Sequence, residues 1–316
     1  MSATGGTTPS PPGSPGPLGR ARTRYGENAV RVVLVAAALV SVATTIGIVI
    51  SLVPPTVEFF EAVSPVEFFT GTEWAPLFEP AAYGVLPLVG ATLLITLIAV
   101  VVAIPLGLGA ALYLSEYAHA RTRGIFKPVL EVLAGVPTVV YGFFALRFVT
   151  PALQAYLPPG LQPDIFNALA AGLVMGVMIV PTVASLSEDA MAAVPSGLRD
   201  GAYALGSSTR LVAVRVVVPA ALSGIVASFV LAISRAIGET MIVAIASGNK
   251  PALSLNPLDA MQTMTGFIAQ AGSGDLPTGS LDYKTIFAVG ALLFLITLVM
   301  NVISARLVRR YREVYE

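Results

Sequence analysis

Six separate runs of this chain are apolar for about 20 residues, the length a helix needs to cross a hydrocarbon layer. They centre on Val32 to Val53, Leu86 to Leu114, Pro128 to Thr150, Ile165 to Leu186, Pro219 to Ser247 and Thr285 to Ala305. Such a chain has few folds open to it. With no water inside the layer to satisfy backbone groups, each run must close its own hydrogen bonds as a helix. The expected class is all-α, a polytopic membrane protein with six transmembrane helices. Composition agrees, since 11% of the 316 residues are charged, where a soluble domain carries about 25%. The segment 1–28 is rich in Gly, Pro, Ser and Thr and cannot bury a core. It reads as a disordered tail before a membrane domain over 29–316. A leading polar segment of this length argues against a cleaved signal peptide, so the first helix is expected to stay as an anchor.

Formal net charge is zero, so bulk charge points to no nucleic-acid partner, and the information lies in where charges sit. Fourteen of the 18 Lys and Arg fall in four segments. These are the N-terminal tail and helix boundary (Arg20, Arg22, Arg24, Arg31), the second-to-third loop (Arg121, Arg123, Lys127), the loop at about 189–218 (Arg199, Arg210, Arg215) and the C-terminal tail (Arg306, Arg309, Arg310, Arg312). Only Lys250 and Lys284 lie in the opposite loops. By the positive-inside rule both termini and the 189–218 loop face the cytoplasm, in a multi-pass protein of the cell membrane surrounded by lipid. Zero cysteines and the single His119 remove disulfides, thiolate metal sites and multi-histidine sites, leaving no metal site and no catalytic constellation. No G-x-x-x-x-G-K-[ST] pattern occurs, so the chain does not bind ATP through that loop.

Residues 200 to 219 read DGAYALGSSTRLVAVRVVVP, a polar stretch between long apolar runs. Ser196 after Pro195 is placed to cap a short helix through Arg199, Ala202 and Leu205. Gly206 can end that helix in the left-handed conformation, and Ser207 or Ser208 can cap the next. Two short helices meeting at a bend are expected. Between Val57 and Tyr83, five glutamates stand with no Lys or Arg beside Phe59, Phe60, Phe68, Phe69 and Trp74. This segment reads equally as a docking surface or as an interfacial one. The loop 248–283 reads as irregular. Pro105, Pro137 and Pro181 lie inside spans, where the missing amide kinks a helix. The pairs Gly107 with Gly109, Gly135 with Gly142, and Gly172 with Gly176 offer surfaces for close helix contact.

Within the fifth span, LAISRAIGETMIVAIASG places Arg235 and Glu239 four apart, on one face of a continuous helix, with Thr240 adjacent. A charge at mid-membrane costs roughly 2.5 to 3.5 kcal/mol on insertion scales, so the pair demands a reason. One reason is a mutual ion pair; the other is a guanidinium fork presented to an anion in a wet pathway, with Thr240 supplying a hydroxyl. Arg147 and Glu131 can snorkel to the interfaces.

Taken in order, several segments resemble the PstC-type permease subunit of phosphate ABC importers. These are PVEFFTGTEWAP, GVLPLVGATLLITLIAVVVAIPLGLGAALYLSEYA, LEVLAGVPTVVYGFFAL, the acidic-residue, Gly206, Pro219 spacing, and RAIGETMIVAIASG. The resemblance implies a type I ABC importer permease fold and no enzymatic activity in this chain. It implies a second phosphate permease subunit, an ATPase subunit dimer that holds ATP and Mg, and an extracytoplasmic phosphate-binding protein. By matching position, Arg235 and Glu239 resemble the charged pair of phosphate passage, while Asp200, Gly201, Ala202, Gly206 and Pro219 resemble the ATPase-coupling element. Asp200-Gly201 stands where Glu-Ala is usual, and Ala91 where threonine is common. The alternatives are the sister phosphate permease subunit and a permease for sulfate or molybdate.

Overall fold

A computed structural model describes residues 25–311 of the chain, which divides into two compact units, residues 1–51 and 52–316. Helix α1 (Tyr25–Ala62) begins in the first and ends in the second. From residue 29 to 51 its side chains are nearly all exposed, as expected of a helix that is apolar all round. Residues 1–24 of the expected tail lie outside the described residues, as do the last residues of the C-terminal tail.

In the second unit, α2 (Pro65–Thr70) leads into a minimal antiparallel ladder, β1 (Trp74–Ala75) with β2 (Ala82–Tyr83). The acidic, aromatic segment thus folds on itself: Phe59, Phe68 and Trp74 are at most 2% exposed and meet edge to face. The neck of this segment is a backbone contact. A Cβ on Gly71 would lie 2.6 Å from the Cα of Gly84, and one on Gly84 would lie 2.5 Å from the Cα of Gly71. Beside them the Gly84 amide donates to Glu73 at 2.9 Å and the Val85 amide to Phe68 at 2.9 Å.

Helix α3 (Leu86–Leu112) runs on into a π-helical turn, Tyr113–Tyr117, and α4 (Ala120–Ala134) follows. The third expected span is broken. Gly135 ends α4, and Pro137 starts a new segment of α5 (Thr138–Phe144), a π-helical turn (Ala145–Val149) and α6 (Thr150–Tyr156), bent 87° from α4. Proline restricts the residue before it to extended backbone, which stops the helix at Val136. Pro105 and Pro181, by contrast, sit inside continuous helices. Helix α7 (Ala168–Ala192) is capped by Asn167, whose side chain accepts from the Ala170 amide at 2.7 Å and donates to Thr150 Oγ1 at 3.1 Å. It packs along α3 through glycines: a Cβ on Gly172 or Gly176 would fall 2.7 Å from Ile98 or Val102, and one on Gly107 would fall 2.6 Å from Val183. At such distances any side chain forces the helices apart.

The polar stretch forms α8 (Ser196–Ala204) and α9 (Thr209–Val212), then a π-helical turn (Ala213–Val217) and α10 (Val218–Ala220). Next come α11 (Leu222–Ile237) and α12 (Met241–Ala246), so the fifth span bends 72° ahead of α11 and breaks again after Ile237. The 248–283 loop is not irregular throughout, because α13 (Met264–Gly272) is helical and capped by Thr263. Helix α14 (Leu281–Tyr311) closes the chain. Among the described residues four helices are long and apolar enough to cross a membrane, and six spans result if each bent pair counts as one.

Candidate functional site

Two sets of polar groups are built into this apolar frame. The first is the elbow between α7 and α9. Helix α8 starts at Ser196, with Pro195 rather than Ser196 at its N-cap, and no serine side chain caps it or α9. Gly206 does take the left-handed conformation, at φ +79°. Its amide donates to Tyr203 at 2.9 Å and that of Ser207 to Ala202 at 3.1 Å, the pair of bonds that turns a chain out of a helix. Nothing lies within 4 Å of a Cβ at Gly206 or Gly201, so only backbone conformation demands glycine at Gly206.

Arg199 holds the elbow. Its Nη2 lies 3.0 Å from Glu116 Oε1, and its guanidinium also donates to the carbonyls of Val194 at 2.6 Å and Met191 at 2.8 Å. Glu116, on the π-helical turn after α3, is 3% exposed. Ala202 packs inward on a cluster of Ala111, Met191, Val194, Val212 and Ile225. Asp200, Gly201, Tyr203, Gly206 and Pro219 remain exposed, and Leu205 is 88% exposed. Of the expected coupling residues, Asp200 and Gly201 therefore lie on the outer face of α8 and Ala202 on its fastened inner face, while Gly206 follows the helix and Pro219 stands apart on α10. The same end carries a second clamp: Arg123 and Lys127 of α4 both bind the Glu188 carboxylate of α7, which is 1% exposed. Sequence reasoning treated Arg199, Arg123 and Lys127 only as loop cations. Their carboxylate partners lie 61 to 83 residues away, and only the SEYA segment that holds Glu116 gave any signal.

The second set surrounds Arg235. It and Glu239 do not share a helix face, because α11 ends at Ile237 and α12 starts at Met241. They form no ion pair either. Arg235 Nη1 donates to Thr182 Oγ1 on α7 at 3.1 Å, and Tyr141 of α5 lies within its electrostatic reach. Glu239 turns the other way, its Oε1 accepting the amides of Met241 at 3.1 Å and Ile242 at 3.3 Å. Thr240 points its hydroxyl at the Gly238 carbonyl, 3.3 Å away, and not at Arg235. The break has a tertiary cause as well as Gly238: Thr265, just inside α13, donates to the Glu239 carbonyl at 2.7 Å and takes it from the helix ladder. Thr182 and Thr265 carried no signal in the sequence, since an isolated threonine in an apolar run is ordinary. A guanidinium offers five N–H donors. Arg235 spends one on protein, and among the described residues no carboxylate pairs with it.

Broken apolar helices around an uncompensated cation, with a fastened elbow at one end, define a membrane transport subunit. The chain belongs to the family described as binding-protein-dependent transport system inner membrane component, which residues 103–313 match. It is a permease component of an ABC importer and an inner-membrane protein. It is 34% identical over 282 residues to the probable ABC transporter permease protein YqgH of Bacillus subtilis, covering 87% of this chain and 90% of that one. It is 35% identical over 277 residues to the phosphate transport system permease protein PstC 1 of Mycobacterium tuberculosis, covering 77% and 81%. PstC of Xylella fastidiosa (strain Temecula1) is 31% identical over 262 residues, covering 78% and 79%. Among solved structures, a bacterial ABC transporter for import of the acidic polysaccharide alginate superposes with a TM-score of 0.59 over 92% of this chain and 100% of that one, at 14% identity. The MetNI methionine ABC transporter superposes with a TM-score of 0.55 over 73% and 95%, at 19% identity. These neighbours share the fold, that of type I ABC importer permeases.

Proposed function

We propose that this chain is one of two permease subunits of an ATP-driven phosphate importer, and that Arg235 receives the anion. The observation that carries the reading is the guanidinium itself. In an apolar span it has one hydroxyl partner and, among the described residues, no carboxylate paired with it, an arrangement stable only where an anion or water reaches it. Relatives named for phosphate transport, at 31 to 35% identity over most of the chain, support phosphate over sulfate or molybdate. The positive-inside pattern puts both termini and the elbow in the cytoplasm, where an ATPase dimer holding ATP and Mg would grip Asp200, Gly201 and the exposed Leu205. An extracytoplasmic phosphate-binding protein would dock at the opposite end. Reconstituted with these partners in proteoliposomes, the complex is expected to take up labelled phosphate on ATP addition, with sulfate and molybdate competing weakly. Uptake of sulfate or molybdate in place of phosphate would overturn the substrate.

The elbow supplies its own test. Gly206→Val is expected to abolish uptake, because a β-branched residue at φ +79° costs about 1–3 kcal/mol of strain and there is no neighbouring atom to blame for the loss. Gly206→Asn should keep most of it, since asparagine tolerates the left-handed region. Uptake and ATPase co-purification read the outcome, and full uptake by the valine variant would remove the bend from the coupling element.

A further inference from the structure

The 87° break ahead of α5 changes where Arg147 stands. Counted along the apolar run 128–150 it lies near the end of a span, within snorkelling distance of an interface. In the fold, however, α4 carries Arg121, Arg123, Lys127 and Glu131 and is clamped to Glu188 at the elbow end. The crossing therefore falls to the segment Thr138–Tyr156, in which Arg147 is the one charged residue. At 1.5 Å per residue that segment is about 28 Å long, close to the ~30 Å of a hydrocarbon layer. Arg147 sits at its middle, on the π-helical turn, about 14 Å from either end and beyond the reach of its own side chain.

The segment has two faces. Gly142, Ala145 and Thr150 are buried against α7 and α12: a Cβ on Gly142 would lie 3.0 Å from Ile245, and Thr150 accepts from Asn167 at 3.1 Å. On the other face Val140, Phe143, Phe144 and Phe148 are exposed at three- and four-residue spacing. Arg147 stands among them, exposed as well, with no hydrogen bond or ion pair among the described residues. From Val139 to Ala155 the other exposed residues are Val, Phe, Pro and Ala alone. A charged side chain inside a membrane faces protein or water, so this is not a lipid face. Nor does it suit a passing oxyanion, which on shedding water needs donors for its several oxygens. Beside the guanidinium this face offers no hydroxyl and no side-chain amide, whereas Arg235 has Thr182 beside it. An apolar protein seam with one cation to be matched fits it.

We infer, resting on the reading of the chain as one of two permease subunits, that this face is the seam with the second permease subunit and that Arg147 pairs there with an aspartate or glutamate of that subunit. The same face rejects a copy of itself. In a symmetric pair of identical chains it would meet itself, and the seam would hold two Arg147 guanidiniums and no carboxylate. Arg147 thus selects a different chain as partner, by repulsion of the wrong one as much as by attraction of the right one.

Photoreactive p-benzoylphenylalanine in place of Phe148, in the complete complex in membranes, is expected to crosslink to a span of the second permease subunit that holds an aspartate or glutamate. The same crosslinker at Phe144 serves if the first variant does not assemble. Arg147→Gln should lower recovery of that subunit on the tagged chain by about 30-fold, the loss from stranding one member of a buried interfacial charge pair. Arg147→Lys should keep most of it. Because Arg147 makes no bond within the described chain, the amount of chain in the membrane should not change. Changing the crosslinked carboxylate to its amide should cost as much as Arg147→Gln, and both changes together little more. Crosslinks to lipid alone, or to another copy of this chain, would overturn the seam. Full recovery of the second subunit on Arg147→Gln would overturn the charge pair, and lost uptake by that intact complex would give Arg147 to the anion. If the unmodified chain purifies with no second permease subunit, the two-subunit reading itself falls, before any variant is made.

Discussion

Arg235→Gln is expected to cut phosphate uptake by about 10- to 100-fold in a complex that still assembles, the range that follows from losing charge-assisted hydrogen bonds of about 1.5–3 kcal/mol. Glutamine keeps much of the volume and can still bond Thr182, so packing between α11 and α7 survives. The remaining contacts of these two helices are undisturbed, including the buried Ser187–Ser228 bond at 2.8 Å. Arg235→Lys should recover only part of the rate, because a point charge replaces a planar fork. An ion pair with Glu239 would have predicted rescue by the double change to glutamine at both positions. The two side chains have different partners, so the double variant is expected to stay inactive. Uptake measured beside the amount of assembled complex decides it, and near-normal uptake by Arg235→Gln would remove Arg235 from the pathway.

Arg199→Ala is the second large effect. An exposed loop arginine would be worth less than about 0.5 kcal/mol. Arg199 is instead the partner of a carboxylate 3% exposed and of two carbonyls, and removing one member of a buried pair costs about 3–5 kcal/mol because the other is left uncompensated. The variant is expected to lose the elbow, and with it uptake and retention of the ATPase. Adding Glu116→Gln should recover part of the thermal stability by removing the stranded charge, but not the coupling, since the two carbonyls still lack their donor. A single variant with unchanged thermal stability and full uptake would show that the clamp does not hold α8.

How far the chain could be read in advance depended on the range of the forces involved. Gly206 was legible because a left-handed turn after an amphipathic stretch is a local matter, written in a few adjacent residues. Pro137 was marked as a kink but not as an 87° break, because the size of a bend depends on what the two halves pack against. Arg235 stood out from its apolar surroundings, yet its relation to Glu239 was misread as one helix face. The interruption between them is held by Thr265, from a segment expected to be irregular. Glu116 and Arg199, 83 residues apart, meet only because α3 and α7 lie side by side through Gly107, Gly172 and Gly176. The small residues predicted that closeness. They could not predict which charges it would bring together.

The backbone clasp between Gly71 and Gly84 bears on how this protein can change over evolutionary time. Neither position accepts a side chain, and no residue at one can compensate for a substitution at the other, so the two glycines are fixed independently. Beyond them the ladder anchors Trp74 and Tyr83, Pro76 is buried beside it, and residues 77–81 form an exposed tip. That short tip can lengthen, shorten or change its chemistry without shifting the start of α3. Leu77 and Phe78, exposed at that tip, are therefore free to change, while the clasp insulates the transport machinery from the outcome.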